Sequence, residues 1–160
     1  MKSKAEQIIF VGRQAEFERQ LARLYSLYQH KFPDFKFWGF LVEEERKHED
    51  WLKQIIPRIQ TGEIYFYLED LTLQAIDQMI IYINEEYAKA QDEGVTLIRA
   101  VSVAHGLEDS ALDKNFFKYF DSESPYIEEV LENLKTDTTK HRDLLHKAKN
   151  NLKEFLEQYR

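Results

Sequence analysis

Apolar residues recur at helical spacing along almost the whole chain, and few strong breakers interrupt them. With five glycines and three prolines in 160 residues, there is too little punctuation for a turn-rich β protein. Val11, Ala15, Ala22 and Tyr25 form a stripe on a first helix, beside Phe17, Leu21, Leu24 and Tyr28. Pro33 should end that helix, because the residue before a proline disfavours the helical region. Asp34 is then the expected cap of a second helix, whose stripe reads Leu41, Leu52, Ile55 and Ile59, with Pro57 near its end.

Thr61-Gly62-Glu63 reads as a break before the aromatic run Tyr65-Phe66-Tyr67. Leu73, Ile76, Ile80, Ile83 and Tyr87 predict an amphipathic helix ending near Gly94. Leu97, Val101, Ala104, Ala111 and Leu112 predict the next. Ser124-Pro125 is a helix-start signal, opening a last helix that carries Ile127, Val130, Leu131, Leu134, Leu145, Ala148, Leu152 and Phe155. The expected architecture is all-α: four long helices in two antiparallel hairpins, with turns near Pro33 and Ser122. A long crossover containing a shorter fifth helix joins the hairpins. Residues 1–160 form one domain without a linker or low-complexity tract.

Composition excludes several function classes. The chain has no cysteine, which removes disulfides, thiolate zinc sites and iron–sulfur or rubredoxin-type centres. A net charge of −7 argues against binding to nucleic-acid phosphates. No apolar stretch approaches the ~20 residues of a membrane span, so a soluble, cytoplasmic protein is expected. No nucleophile elbow, phosphate loop or His-Glu-x-x-His pair is present. The aromatic run and the helix after it have two uses, covering the core or forming a homodimer surface.

The chemistry lies in the residues that break the stripes. Glu18 falls between Ala15 and Ala22. Glu45 and His48 replace apolar residues between Leu41 and Leu52. Glu108 lies between Ala104 and Ala111, and His141 between Leu134 and Leu145. A buried carboxylate is costly unless it is neutralised, paired or metal-bound. Ionisable residues at similar depth on four helices therefore point to a shared interior site. Glu45-Arg46-Lys47-His48 is a Glu-x-x-His unit, whose ends share a helix face. Carboxylates from two helices plus Glu-x-x-His units from two others are how a four-helix bundle holds two iron or manganese ions.

On these residues the chain resembles the ferritin-like superfamily, most closely its rubrerythrin-related branch. Glu18 followed by Tyr25 is similar to that family's first-helix pattern, and Glu45 with His48 to its Glu-x-x-His helix. Ala100 to Glu108, followed by Phe116-Phe117, is similar to its third helix. The interval from Glu18 to His48 is nearly repeated from Glu108 to His141, as in that family's two halves. The resemblance implies a non-haem diiron, or dimanganese, oxidoreductase reacting with peroxide or oxygen. Its metal ligands would be Glu18, Glu45, His48, Glu108 and His141, with zinc a further metal such ligands accept. Without cysteine, electrons would come from a separate donor protein.

The fourth helix departs from the pattern. Thr138 stands where the family has a bridging Glu, three residues before His141. Asp137, four before His141, is the candidate replacement, and His105, one turn before Glu108, a candidate extra nitrogen ligand. Alternatives to the oxidoreductase are a non-catalytic iron-binding or iron-sequestering bundle, and a metal-free structural relative with a degenerate site on helix four.

Overall fold

A computed structural model describes residues 3–65, 70–113 and 124–159. Among these, all regular structure is helical: α1 (Lys4–Lys31), α2 (Phe37–Thr61), α3 (Asp70–Asp92), α4 (Leu97–Asp113), α5 (Pro125–Asn150) and α6 (Leu152–Gln158). Phe66 and Tyr67 of the aromatic run, the Phe116-Phe117 pair and the turn near Ser122 lie outside the described residues. No helix among those described is long and apolar enough to cross a membrane.

Helix directions follow from which ends meet. Lys4 Nζ at the start of α1 reaches the carbonyl of Gln60 at the end of α2, while Tyr25 and Trp38 pack together at the other end. These helices form an antiparallel hairpin. The α3 helix runs alongside α1 in the same direction, since Arg13 pairs with Asp77 and Arg23 lies over the Tyr87 ring. A second hairpin is made by α4 and α5, with His105 against His146 and Asp109 facing Arg142. Gln54 beside Tyr126 and Glu45 beside His141 make α2 and α5 antiparallel neighbours. Thus α1 and α5 point one way and α2 and α4 the other. The α3 segment returns the chain between the hairpins.

Local chemistry explains most boundaries. Ser3 and Glu6 form a reciprocal capping box at the start of α1. Gly62 closes α2 at φ 78°, a left-handed conformation that glycine adopts without steric cost. Buried Glu86 ties α3 to the start of α4 by accepting from the Arg99 guanidinium through both carboxylate oxygens at 3.0 Å.

Three boundaries differ from expectation. Asp34 does not cap α2, which begins at Phe37 after Lys36, because Phe35 is drawn into the core as part of an aromatic nest with Phe37, Trp38, Tyr25 and Tyr28. The crossover helix α3, at 23 residues, is longer than α4, at 17, rather than a short insert. The last helix is broken at Asn151, whose side chain caps α6 by accepting from the Glu154 N–H. That break lets Phe155 turn back onto Phe35 and Phe37. The apolar stripe continues through the break, so periodicity alone could not reveal it.

Candidate metal centre

The residues that interrupt the stripes meet inside the protein. Glu18 is 4% exposed, Glu45, Glu108 and His141 1%, and His48 0%. Their ligand atoms form two interior triads, Glu18–Glu45–His48 and Glu45–Glu108–His141, each with all ligand atoms within 4.8 Å of one another. Glu45 belongs to both. Its Oε2 lies 2.9 Å from His48 Nδ1 and its Oε1 lies 3.0 Å from His141 Nδ1. Glu18 Oε2 is 3.9 Å from His48 Nδ1, and Glu108 Oε1 is 3.8 Å from His141 Nδ1. The two imidazoles stack with centroids 5.6 Å apart. Three-residue spacing puts Glu45 and His48 on one face of α2, and the antiparallel α5 brings His141 to the same level.

Tyr25, fully buried on α1, donates its hydroxyl to Glu108 Oε1 at 2.8 Å. This tyrosine therefore does more than fill the core, since its hydroxyl is the partner of a site carboxylate. Phe40 meets the His141 ring edge-on and Trp51 lies against His48, so aromatic surface flanks both imidazoles.

The charges in this cluster are strongly displaced. Burial pushes Glu18 up to about 7, although His48 beside it works the other way. Burial, reinforced by the Glu45 charge, lifts Glu108 well above the carboxylate range. Glu45 goes the other way: burial would raise it, but His141 and His48 outweigh that and hold it below the usual range. Desolvation would lower both imidazoles, yet Glu45 foremost holds His48 up to about 12 and His141 up to about 9. Without cations, these shifts favour an anionic Glu45 between two protonated imidazoles and hold Glu18 and Glu108 toward their neutral forms, with the Asp137 carboxylate at His48 supplying the second counter-charge.

That network leaves buried atoms without a well-aligned hydrogen bond. Oε1 of Glu45 and both ring nitrogens of His141 have no hydrogen-bond partner among the described residues. Buried polar atoms are normally satisfied. Mixed carboxylate and imidazole donors suit iron, manganese or zinc, and each triad, with Glu45 in both, could hold a metal ion. By donor chemistry and by these unpaired atoms, the residues fit a pair of divalent cations.

Two further candidates stand elsewhere. Asp137 is not a member of either interior triad but stands with Glu44 and His48 in a third set of possible ligands. It lies at the rim, where Oδ2 accepts from His48 Nε2 at 3.3 Å and meets Lys47 Nζ at 3.2 Å. These partners, His48 foremost, hold it below the usual carboxylate range. Thr138 itself is buried. His105 faces His146, with ring centroids 5.4 Å apart, and belongs to none of the ligand groups found among the described residues. Glu44 and Lys47 were the residues least visible in advance. Glu44 sits at the boundary of its stripe, and Lys47 carries no apolar-stripe signal at all. The chain matches no family model, no curated protein and no solved structure.

Proposed function

We propose that this chain is a ferritin-like, rubrerythrin-related metal protein that binds two divalent cations, iron or manganese foremost, and acts as a non-haem oxidoreductase on peroxide or oxygen. The single observation that carries the reading is Glu45, which presents one oxygen to His48 and the other to His141. The order of helix directions, with one long crossover, supports the ferritin-like part of it. Glu18 and His48 would hold one ion, Glu108 and His141 the other, with Glu45 between them. Such a metal pair, when bound, supplies the electrons for reducing a small oxidant.

The remaining residues set the protonation and orientation of the ligands. Asp137 accepts from His48 Nε2, which keeps the proton on that nitrogen and leaves Nδ1 free for the interior. The Tyr25 hydroxyl fixes the rotamer of Glu108. Phe40 and Trp51 limit water around the imidazoles. A separate donor protein would return electrons, since the chain contains no thiolate centre.

Anaerobic loading with Fe²⁺ followed by rapid mixing with hydrogen peroxide tests the reading. One peroxide should be reduced to water for every two Fe²⁺ oxidised, in the loaded protein and not in Glu45→Ala. Oxidation no faster than for free Fe²⁺ would refute the catalytic part.

One observation favours the non-catalytic alternative, an iron-sequestering bundle. With Thr138 in the bridging position, three interior carboxylates face two dications, and one positive charge is left over. A metal-free network is the poorer reading, because it leaves both buried ring nitrogens of His141 without a hydrogen-bond partner among the described residues.

A further inference from the structure

The rim between α2 and α5 carries cation-binding chemistry that the interior centre does not use. Oxygens of Glu44 and Asp137 and a nitrogen of His48 lie within 4.8 Å of one another, a third and outward-facing set. The chain's own cation stands among them. Lys47 Nζ is 2.9 Å from both carboxylate oxygens of Glu44 and 3.2 Å from Asp137 Oδ2. That same oxygen accepts from His48 Nε2 at 3.3 Å. Lys140 flanks the other oxygen of Asp137 at 3.5 Å. A second, independent sign comes from His141: its Nε2 is buried, has no hydrogen-bond partner among the described residues, and stands 3.9 Å from Glu44 Oε2.

We propose that Lys47 is a tethered cation filling a third metal position on the rim, built from Glu44, His48 and Asp137, and that it thereby reserves His48 for the interior. The rim position stands on its own geometry; only its consequence for His48 rests on the metal-centre reading above. A neutral imidazole carries a proton on one nitrogen and binds an ion through the other. An ion on the rim would take Nε2 and drive the proton onto Nδ1, which would then donate to Glu45 and have no lone pair for an interior ion. With the ammonium in place, Asp137 is neutralised yet still accepts from Nε2–H, and Nδ1 faces inward. A lysine suits this duty because it is a compact point charge on a flexible stem. Its head also lies 4.9 Å from the Trp51 ring centroid, so a methionine stem retains much of the packing.

The test removes the interior centre and the guard separately. Co²⁺ binding is measured by equilibrium dialysis, with visible absorption reporting the ligand set, in Glu45→Ala and in Glu45→Ala/Lys47→Met. Glu45→Gln replaces the alanine variant in both if that variant does not fold by circular dichroism. Removing Lys47 should add one Co²⁺ with a d–d spectrum, and adding Asp137→Asn should abolish it. Lys47→Arg, which keeps the positive charge, should gain none. No added ion in folded Lys47→Met proteins would overturn the proposal. A wild-type protein that binds no metal, beside a Lys47→Met variant that binds one, would sink the interior centre and leave the rim assignment standing.

Discussion

Oε1 of Glu45 lies 3.0 Å from Nδ1 of His141, yet neither atom has a well-aligned hydrogen-bond partner among the described residues. The two groups attract chiefly through charge, which lowers Glu45 and raises His141. Both atoms instead face an interior that Glu108 shares. In a buried network this combination is expensive unless a cation enters between the donors.

Removing Glu45 should therefore disable both halves of the centre at once. Glu45→Ala is expected to lose all tight Fe²⁺ or Mn²⁺ binding, whereas Glu18→Ala should spare the Glu108–His141 half. A ligand at a hundred times its dissociation constant stabilises a native protein by about 2.7 kcal/mol. Thermal melts with and without Mn²⁺ should show that increment in wild type and lose it in Glu45→Ala.

The metal-free protein should lose stability as pH rises. Glu18 is raised to about 7, His141 to about 9 and His48 to about 12, so across this range the native state holds protons that the unfolded chain has released. Stability then falls with pH, beginning above the ordinary carboxylate pKa and, through His48, continuing toward about 12. The depressed Glu45 and Asp137 act oppositely, and their contribution is lost only in acid. Cations compete with the same protons, so stabilisation by Mn²⁺ should grow from pH 5.5 to pH 8. Denaturant titrations at several pH values check both slopes, and a flat profile would contradict the proton-balanced interior.

Thr138→Glu should tighten metal binding by about tenfold or more, on the scale of changes around metal ligands, because it supplies the bridging charge that the centre lacks. The same change buries another carboxylate in the metal-free protein and should cost on the order of 1–3 kcal/mol there. Opposite signs for the two effects, read by dialysis and by denaturant melts, are the signature. Destabilisation without any gain in affinity would place position 138 outside the centre.

Tyr25→Phe removes only the hydroxyl that donates to Glu108. The variant should fold, be less stable by about 1–2 kcal/mol, and hold the ion on the Glu108–His141 side more weakly than the other. Ion-by-ion dissociation followed with a chelator distinguishes this from general destabilisation.

Much of this was legible in the sequence because burial on a helix follows its period. Glu18, Glu45, His48, Glu108 and His141 each stand where an apolar residue is due, and all five are buried. Gly62 and Ser124-Pro125 marked boundaries through backbone preferences that need no tertiary context. Asp137 was harder. Four residues from His141 puts it on roughly the same face, but its position is decided by Lys47 and His48 on another helix, and local spacing carries no record of them. The guard role of Lys47 and the start of α2 at Phe37 were illegible for a similar reason. Both depend on what packs opposite them.

Metal content tests the central claim most directly. After anaerobic loading and desalting, the wild-type protein should retain about two Fe²⁺ per chain, and Glu45→Ala none. A folded wild-type protein that retains no iron, manganese or zinc, and melts at the same temperature with and without them, would contradict the account.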